Sequence, residues 1–172
     1  SIIIPLGNIQ FAFDTENLRV HTVWRGRLDL YGPQHVNAKR PFIAQPNGPL
    51  HWGNPPTLPW RTDEPSAKFA PDDDQPKGKF IGTATDGKSV TLRYLLQLAS
   101  GESVAVQLQA TNSAGDLWRT MTLSRCRTPL WFLANSFPDN SAKLAVTAHG
   151  PGVSVRAIGI PLSYIETIVT EP

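Results

Sequence analysis

The sequence predicts an all-β chain: an antiparallel, two-sheet β-sandwich of jelly-roll type with about ten strands. Three observations carry this expectation. Apolar and polar residues alternate with a period of two through most of the patterned stretches. Turn-forming residues recur about every eight to twelve positions. No stretch shows a convincing helical period, so runs of residues that would scatter around a helix line up on strand faces instead.

The anchor of the pattern is residues 11 to 30, FAFDTENLRVHTVWRGRLDL. Two apolar, alternating runs flank the polar turn Asp14-Thr15-Glu16-Asn17, which predicts a β-hairpin with a longer second strand. Along that strand Leu18, Val20, Thr22, Trp24, Leu28 and Leu30 share one parity. Arg19, His21, Arg25, Arg27 and Asp29 share the other, with Val23 out of place. The expectation is one face for the core and one cationic, solvated face.

The remaining elements follow in order. Residues 1 to 7, broken by Pro5, read as an edge strand or lead-in. From about Gly32 to Lys79 the alternation stops and prolines crowd the chain, yet Phe42, Trp52, Trp60 and Phe69 argue against a disordered linker. This stretch reads as a long ordered loop folded back over a sheet, with a short strand expected near residues 40 to 44. Phe80–Thr85 and Ser89–Leu98 form a hairpin across Asp86-Gly87, the residues of a type I′ turn. Ser103–Thr111 turns Val104, Val106, Leu108 and Ala110 one way, and Leu117–Arg125 aligns Leu117, Met121 and Leu123. Residues 129 to 137 are apolar on both parities, as in a strand buried on both faces. Residues 143–149, 153–160 and 164–170 supply three more strands. The expected core comprises Phe13, Leu18, Val20, Trp24, Leu92, Tyr94, Leu96, Val104, Val106, Leu108, Leu123 and Phe132.

Composition bounds the function. At 172 residues, 40% of them hydrophobic, the chain is one domain, residues 1–172, large enough to bury its own core. A formal charge of +2 with dispersed basic residues argues against a nucleic-acid footprint. With one cysteine, Cys126, the chain has no intramolecular disulfide, thiolate zinc site or CxxCH haem attachment. No run of about eighteen apolar residues predicts a transmembrane helix. The start SIIIPLG lacks an initiator Met and a signal-peptide pattern, so either a leader has been removed or the segment comes from a longer protein.

FDTENLRVHTVWRGRLDL resembles the FD-x-D-x-L-R-x-x-x-x-W-x-G-x-x-LD signature of a domain of unassigned function. That domain occurs in large exported proteins of planctomycetes and verrucomicrobia, beside c-type cytochrome and propeller-type sugar-dehydrogenase modules. The Pro/Trp-rich GPLHWGNPPTLPWRTDEP and the hairpin FIGTATDGKSVTLRY are similar to the family's following segments, so the likeness covers about residues 8 to 110. Ile81, Thr83 and Ala84 depart from the family, which carries Arg and Tyr near this point. The resemblance implies an accessory module of an exported, periplasmic or extracellular protein, with haem on neighbouring modules and a cytochrome or dehydrogenase module as partner. It carries over no catalytic residue.

Residue chemistry offers two candidate binding regions. Arg19, His21 and Arg25 on the cationic strand face suit a carboxylate, a sulfate or a partner's acidic patch, and equally a solvated face paired with carboxylates. His51, Trp52, Asn54, Trp60 and Arg61 form an aromatic-polar cluster suited to stacking and hydrogen-bonding a sugar. Its alternative is that Trp52 and Trp60 strap the loop to the sandwich. Asp72-Asp73-Asp74 lacks EF-hand spacing, and His21, His35, His51 and His149 are scattered, so no metal site is expected. Cys126 lies between Arg125 and Arg127, which would lower its pKa if they faced it. Two function classes emerge. The first is a non-catalytic, ligand-binding accessory module. The second is a small enzyme acting on carbohydrate or another polar metabolite at the cationic face.

Overall fold

The computed structural model describes residues 1–29, 45–48, 50–53, 59–62, 76–113, 116–128, 130–133, 145–147, 153–157 and 164–170. Among them there are fifteen strands and no helix. The first seven are β1 (Ile2–Leu6), β2 (Ile9–Asp14), β3 (Arg19–Arg25), β4 (Arg27–Asp29), β5 (Gln45–Asn47), β6 (Leu50–Gly53) and β7 (Trp60–Arg61). Next come β8 (Lys77–Thr85), β9 (Ser89–Gln97), β10 (Ser103–Ser113) and β11 (Asp116–Leu123). The last are β12 (Trp131–Leu133), β13 (Ala145–Thr147), β14 (Val153–Ala157) and β15 (Tyr164–Thr170).

The strands form four sheets, ordered β1-β2-β3-β6, β14-β15-β11-β10-β9-β8, β13-β12-β7 and β4-β5. All described pairings are antiparallel except β11 with β15, which is parallel. Parallel neighbours need a long crossover, and the chain between Leu123 and Tyr164 is long enough to provide it. Strands β5, β6 and β7 fall inside the stretch expected to be loop; the strand expected at residues 40–44 lies outside the described residues.

The anchor hairpin forms, but not with one uninterrupted parity. Ala12 pairs with Thr22 while Phe13 pairs with Val20, which leaves His21 as the extra residue of a β-bulge. Each register slip of one residue exchanges the faces of a strand. Phe11 therefore opposes Val23, and Val20 and Val23 both enter the core at 2% and 0% exposure. The residue that broke the sequence parity is thus a core residue. Trp24, expected in that core, is buried on the opposite face, beside Gln10 in the register and outside the main cluster.

The second strand also ends sooner than its apolar run suggests. At Gly26 the chain turns out of β3 into β4, and the partner chain turns at Gly48 between β5 and β6. Both glycines have positive φ, 118° and 144°. A Cβ on Gly26 would sit 2.2 Å from the Asn47 carbonyl oxygen, and one on Gly48 would sit 1.8 Å from that of Arg25. Two backbones meet here at a distance that excludes any side chain. Across the corner, the Trp24 indole N–H donates to the Arg27 carbonyl at 3.0 Å.

The β8–β9 connection is likewise longer than a type I′ turn. Strand β8 ends at Thr85 and β9 begins at Ser89, so the link runs through three residues, Asp86 to Lys88. The Asp86 carboxylate explains the extra length. It accepts from the N–H groups of Lys88 and Ser89 and from the Ser89 hydroxyl, at 2.9, 2.6 and 2.9 Å.

One core joins the four-stranded and six-stranded sheets. Ile9, Phe11, Phe13, Val20 and Val23 meet Leu92, Tyr94, Leu96, Val104, Val106 and Leu108 in a single buried cluster. Phe13 lies 6.0 Å from Phe80 and 6.2 Å from Tyr94, both tilted. Leu18, held at φ 50° by the hairpin turn, occupies the space a side chain at Gly78 would need. The Asn112 amide donates to the Leu6 carbonyl and the Asn8 side chain at 2.7 and 2.9 Å, tying β10 to the β1–β2 turn. The ten other expected core residues with described side chains are all at most 2% exposed, and Phe132's side chain lies outside the described residues.

Candidate functional site

The cationic face predicted from β3 is not one face. The Ile9, Phe11 and Phe13 side of β2 is the core side, and Arg25 pairs with Ile9 while Arg19 pairs with Asp14. The bulge at His21 therefore puts Arg19 and Arg25 on opposite sides of the sheet. Arg19 is buried, 4% exposed, with its Nε 3.4 Å from Asp14 Oδ2. His21 is exposed in the bulge, its Nδ1 sharing a 2.6 Å hydrogen bond with the Thr22 hydroxyl. Arg25 is half-buried and Arg27 exposed.

Of the loop cluster, Trp60 is the residue whose side chain is described. Trp60 is 1% exposed, belongs to the core cluster, and donates its indole N–H to the Tyr94 hydroxyl at 3.3 Å. It is a strap, with no ring face open to a ligand. The backbone of His51 and Trp52 lies in β6, where Trp52 pairs with Val23, and that of Arg61 lies in β7. The side chains of these three, and Asn54 altogether, lie outside the described residues. Asp72 to Asp74, His35 and His149 lie outside them too.

A different surface gathers polar groups: the outward face of β8 to β11. The alternation that sends Leu92, Tyr94, Val106, Leu108, Met121 and Leu123 inward leaves Arg93, Gln107 and Thr122 side by side outside, in register across three strands. One step along, Thr91, Gln109 and Thr120 form a parallel row. A further step reaches Thr111 and Trp118, whose indole is 41% exposed. At the other end, a groove of about 360 Å³ runs between Ile81, Arg93, Leu95, Ala105, Gln107 and Ser124. Ile81 is 55% exposed because it is the extra residue of a second bulge, between Phe80 and Gly82.

The polar groups on this face differ in readiness. The Gln109 amide donates to the Ser89 hydroxyl at 3.3 Å, and that hydroxyl donates on to Asp86, so Gln109 is tethered. The Ser124 hydroxyl is occupied by the Ala105 N–H at 2.9 Å. Arg93 and Gln107, both exposed, hold no hydrogen bond or ion pair with any described residue. A second groove, of about 390 Å³ between the edges of β1 and β8, is lined chiefly by Ile2, Ile4, Phe80 and Val90 and offers little polar chemistry.

The shifted carboxyl groups elsewhere serve the fold. Burial raises the Asp14 pKa, but hydrogen bonds from the Asn17 amide and the N–H groups of Asn17 and Glu16, with Arg19 nearby, bring it below the ordinary value. Asp86 is lowered by the N–H groups of Ser89 and Lys88. Glu102 is lowered first by the Thr128 hydroxyl and then by the Arg127 N–H, clasping the β9–β10 turn to the chain after β11. Burial, and secondarily Glu102, pushes the Cys126 thiol up, the reverse of the expectation drawn from its arginine neighbours, which are exposed. Among the described residues no three His, Cys, Asp or Glu side chains are placed to hold a metal ion, and no helix is long and apolar enough to cross a membrane.

Sequence reasoning named neither Trp118 nor Arg93 as a site residue, although the alternation contained both. In DLWRTMTL, turning Leu117, Met121 and Leu123 inward turns Trp118 outward; Arg119 is the polar residue that goes inward, 1% exposed. Compared with protein-family models, curated proteins and solved structures, the chain matches none.

Proposed function

We propose that this chain is a non-catalytic, ligand-binding module of a larger exported redox or carbohydrate-active protein, with the outward face of β8 to β11 as its binding surface. In this reading the two larger sheets face one another as a jelly-roll-like sandwich and leave that face to solvent. The family resemblance supports the exported setting and the neighbouring cytochrome modules. The observation that carries the binding role is the exposed Trp118 indole, on the same face as a groove holding a guanidinium and an amide that no described residue engages. An aromatic plane for stacking beside hydrogen-bonding side chains is what a polyhydroxylated ring requires.

One stacked ring contributes about 0.5–1.5 kcal/mol beyond the area it buries. A single module then binds at about the millimolar level, and useful affinity comes from neighbouring modules acting together. The test is a tryptophan-fluorescence and NMR titration with a panel of soluble neutral and acidic oligosaccharides. Binding should perturb Trp118 and its neighbours and should vanish in Trp118→Ala at an unchanged melting temperature. If no oligosaccharide of any class shifts these resonances, the reading is wrong.

A further inference from the structure

We infer that the ligand of this face is an anionic glycan, a chain carrying uronate carboxylates, with Arg93 as the carboxylate-binding side chain. This rests on reading the outward face of β8 to β11 as the binding surface. The argument begins with charge. The outward positions of β8 and β9 carry Lys77, Lys79 and Arg93 and no acidic residue. Strand β10 carries no acidic residue either. The carboxylates of the adjoining turns stay ionised, held by backbone N–H groups and hydroxyls: Asp86 lies beyond the Trp118 end of the face and Glu102 beyond the groove end. Among the described residues the groove end thus sets Lys77, Lys79 and Arg93 against Glu102, a local excess of positive charge.

Geometry narrows the class of anion. A guanidinium presents a planar fork matched to a carboxylate, and burying it against a neutral ligand would leave its charge uncompensated. Gln107 stands beside Arg93 on the adjacent strand, about 5 Å away, where its amide reaches a hydroxyl next to the bound carboxylate. Trp118 stands four residues along β11 from Thr122, about 13 Å, which is the length of a short oligosaccharide. Between them lie Thr91, Gln109 and Thr120, a band of hydroxyls and amide, while the apolar lining of the groove, Ile81, Leu95 and Ala105, is confined to the Arg93 end. A chain of rings that bears a carboxylate at one end of this path and stacks at the other fits the whole face.

The test compares tetragalacturonate, cellotetraose, a sulfated carrageenan tetrasaccharide and polyglutamate by isothermal titration and NMR, against the wild-type chain, Arg93→Gln and Trp118→Ala. Tetragalacturonate should bind about tenfold tighter than cellotetraose, the scale of one hydrogen-bonded charged contact. Arg93→Gln should erase that difference without shifting the melting temperature, and Trp118→Ala should weaken both sugars together. Equal binding of the two sugars, indifferent to Arg93→Gln, overturns the anionic class and leaves the binding face standing. Tighter binding of the sulfated chain overturns the uronate assignment. Polyglutamate binding that ignores Trp118→Ala overturns the glycan, and the absence of any sugar binding removes the binding face itself.

Discussion

Replacing Trp60 with alanine should be among the most costly single changes available in this chain. The indole is 1% exposed within the core cluster, and its N–H donates to the Tyr94 hydroxyl at 3.3 Å. Truncating a fully buried Trp to Ala costs about 3–5 kcal/mol, combining lost transfer energy with the cavity left behind. The lost hydrogen bond to the buried Tyr94 hydroxyl is a smaller part, about 0.5–1.5 kcal/mol. For a domain of this size each kcal/mol moves the melting temperature by about 2–4 °C, so Trp60→Ala should melt about 6–20 °C lower. Trp60→Phe keeps most of the volume, and a double-mutant cycle of Trp60→Phe with Tyr94→Phe isolates the hydrogen bond at about 0.5–1.5 kcal/mol. Trp118→Ala, on the exposed face, should stay within about 0.5 kcal/mol of wild type. Urea or thermal melts of these variants read all of these values. A Trp60→Ala protein melting within about 2 °C of wild type would refute the strap and return Trp60 to the list of ligand contacts.

Three further outcomes are expected. Gly78→Ala should destabilise by about 1–3 kcal/mol, because its Cβ would lie 1.8 Å from Cδ1 of the buried Leu18, whereas Gly82→Ala, with nothing within 4 Å, should be neutral or slightly stabilising; thermal melts decide. Asp14, Asp86 and Glu102 all titrate below their ordinary values when folded, so the unfolded chain takes up the extra protons on acidification. Their stabilisation is complete above the ordinary carboxyl range and is lost as pH falls below about 4, and Glu102→Gln should flatten part of that acid limb in urea midpoints measured against pH. The Cys126 thiol, raised by burial and by Glu102, should alkylate with iodoacetamide more slowly at neutral pH than a free cysteine peptide; faster reaction would show that the arginines, not burial, govern it.

Local alternation was sufficient for the β class and for nearly all of the central strands. In β9 and β10 every second residue is apolar, no bulge interrupts their mutual register, and, Ser89 apart, the buried positions are those the pattern names. The same alternation contained Trp118 and Arg93, because fixing the inward residues of a strand fixes the outward ones.

What alternation could not supply was register and the company each face keeps. The bulge at His21 follows from how β2 and β3 pair, and it moved Val23 into the core and divided Arg19 from Arg25. The corner at Gly26 exists because Gly48, distant in sequence, brings a second backbone against it. Trp60 and Trp118 sit in near-identical local sequence, Pro59-Trp60-Arg61-Thr62 and Leu117-Trp118-Arg119-Thr120. One is buried because β7 lies over Tyr94, and the other is exposed because nothing described covers the outward face of β11. A strand's period dictates which side chains share a face, but contacts between residues far apart in the chain decide which face meets water.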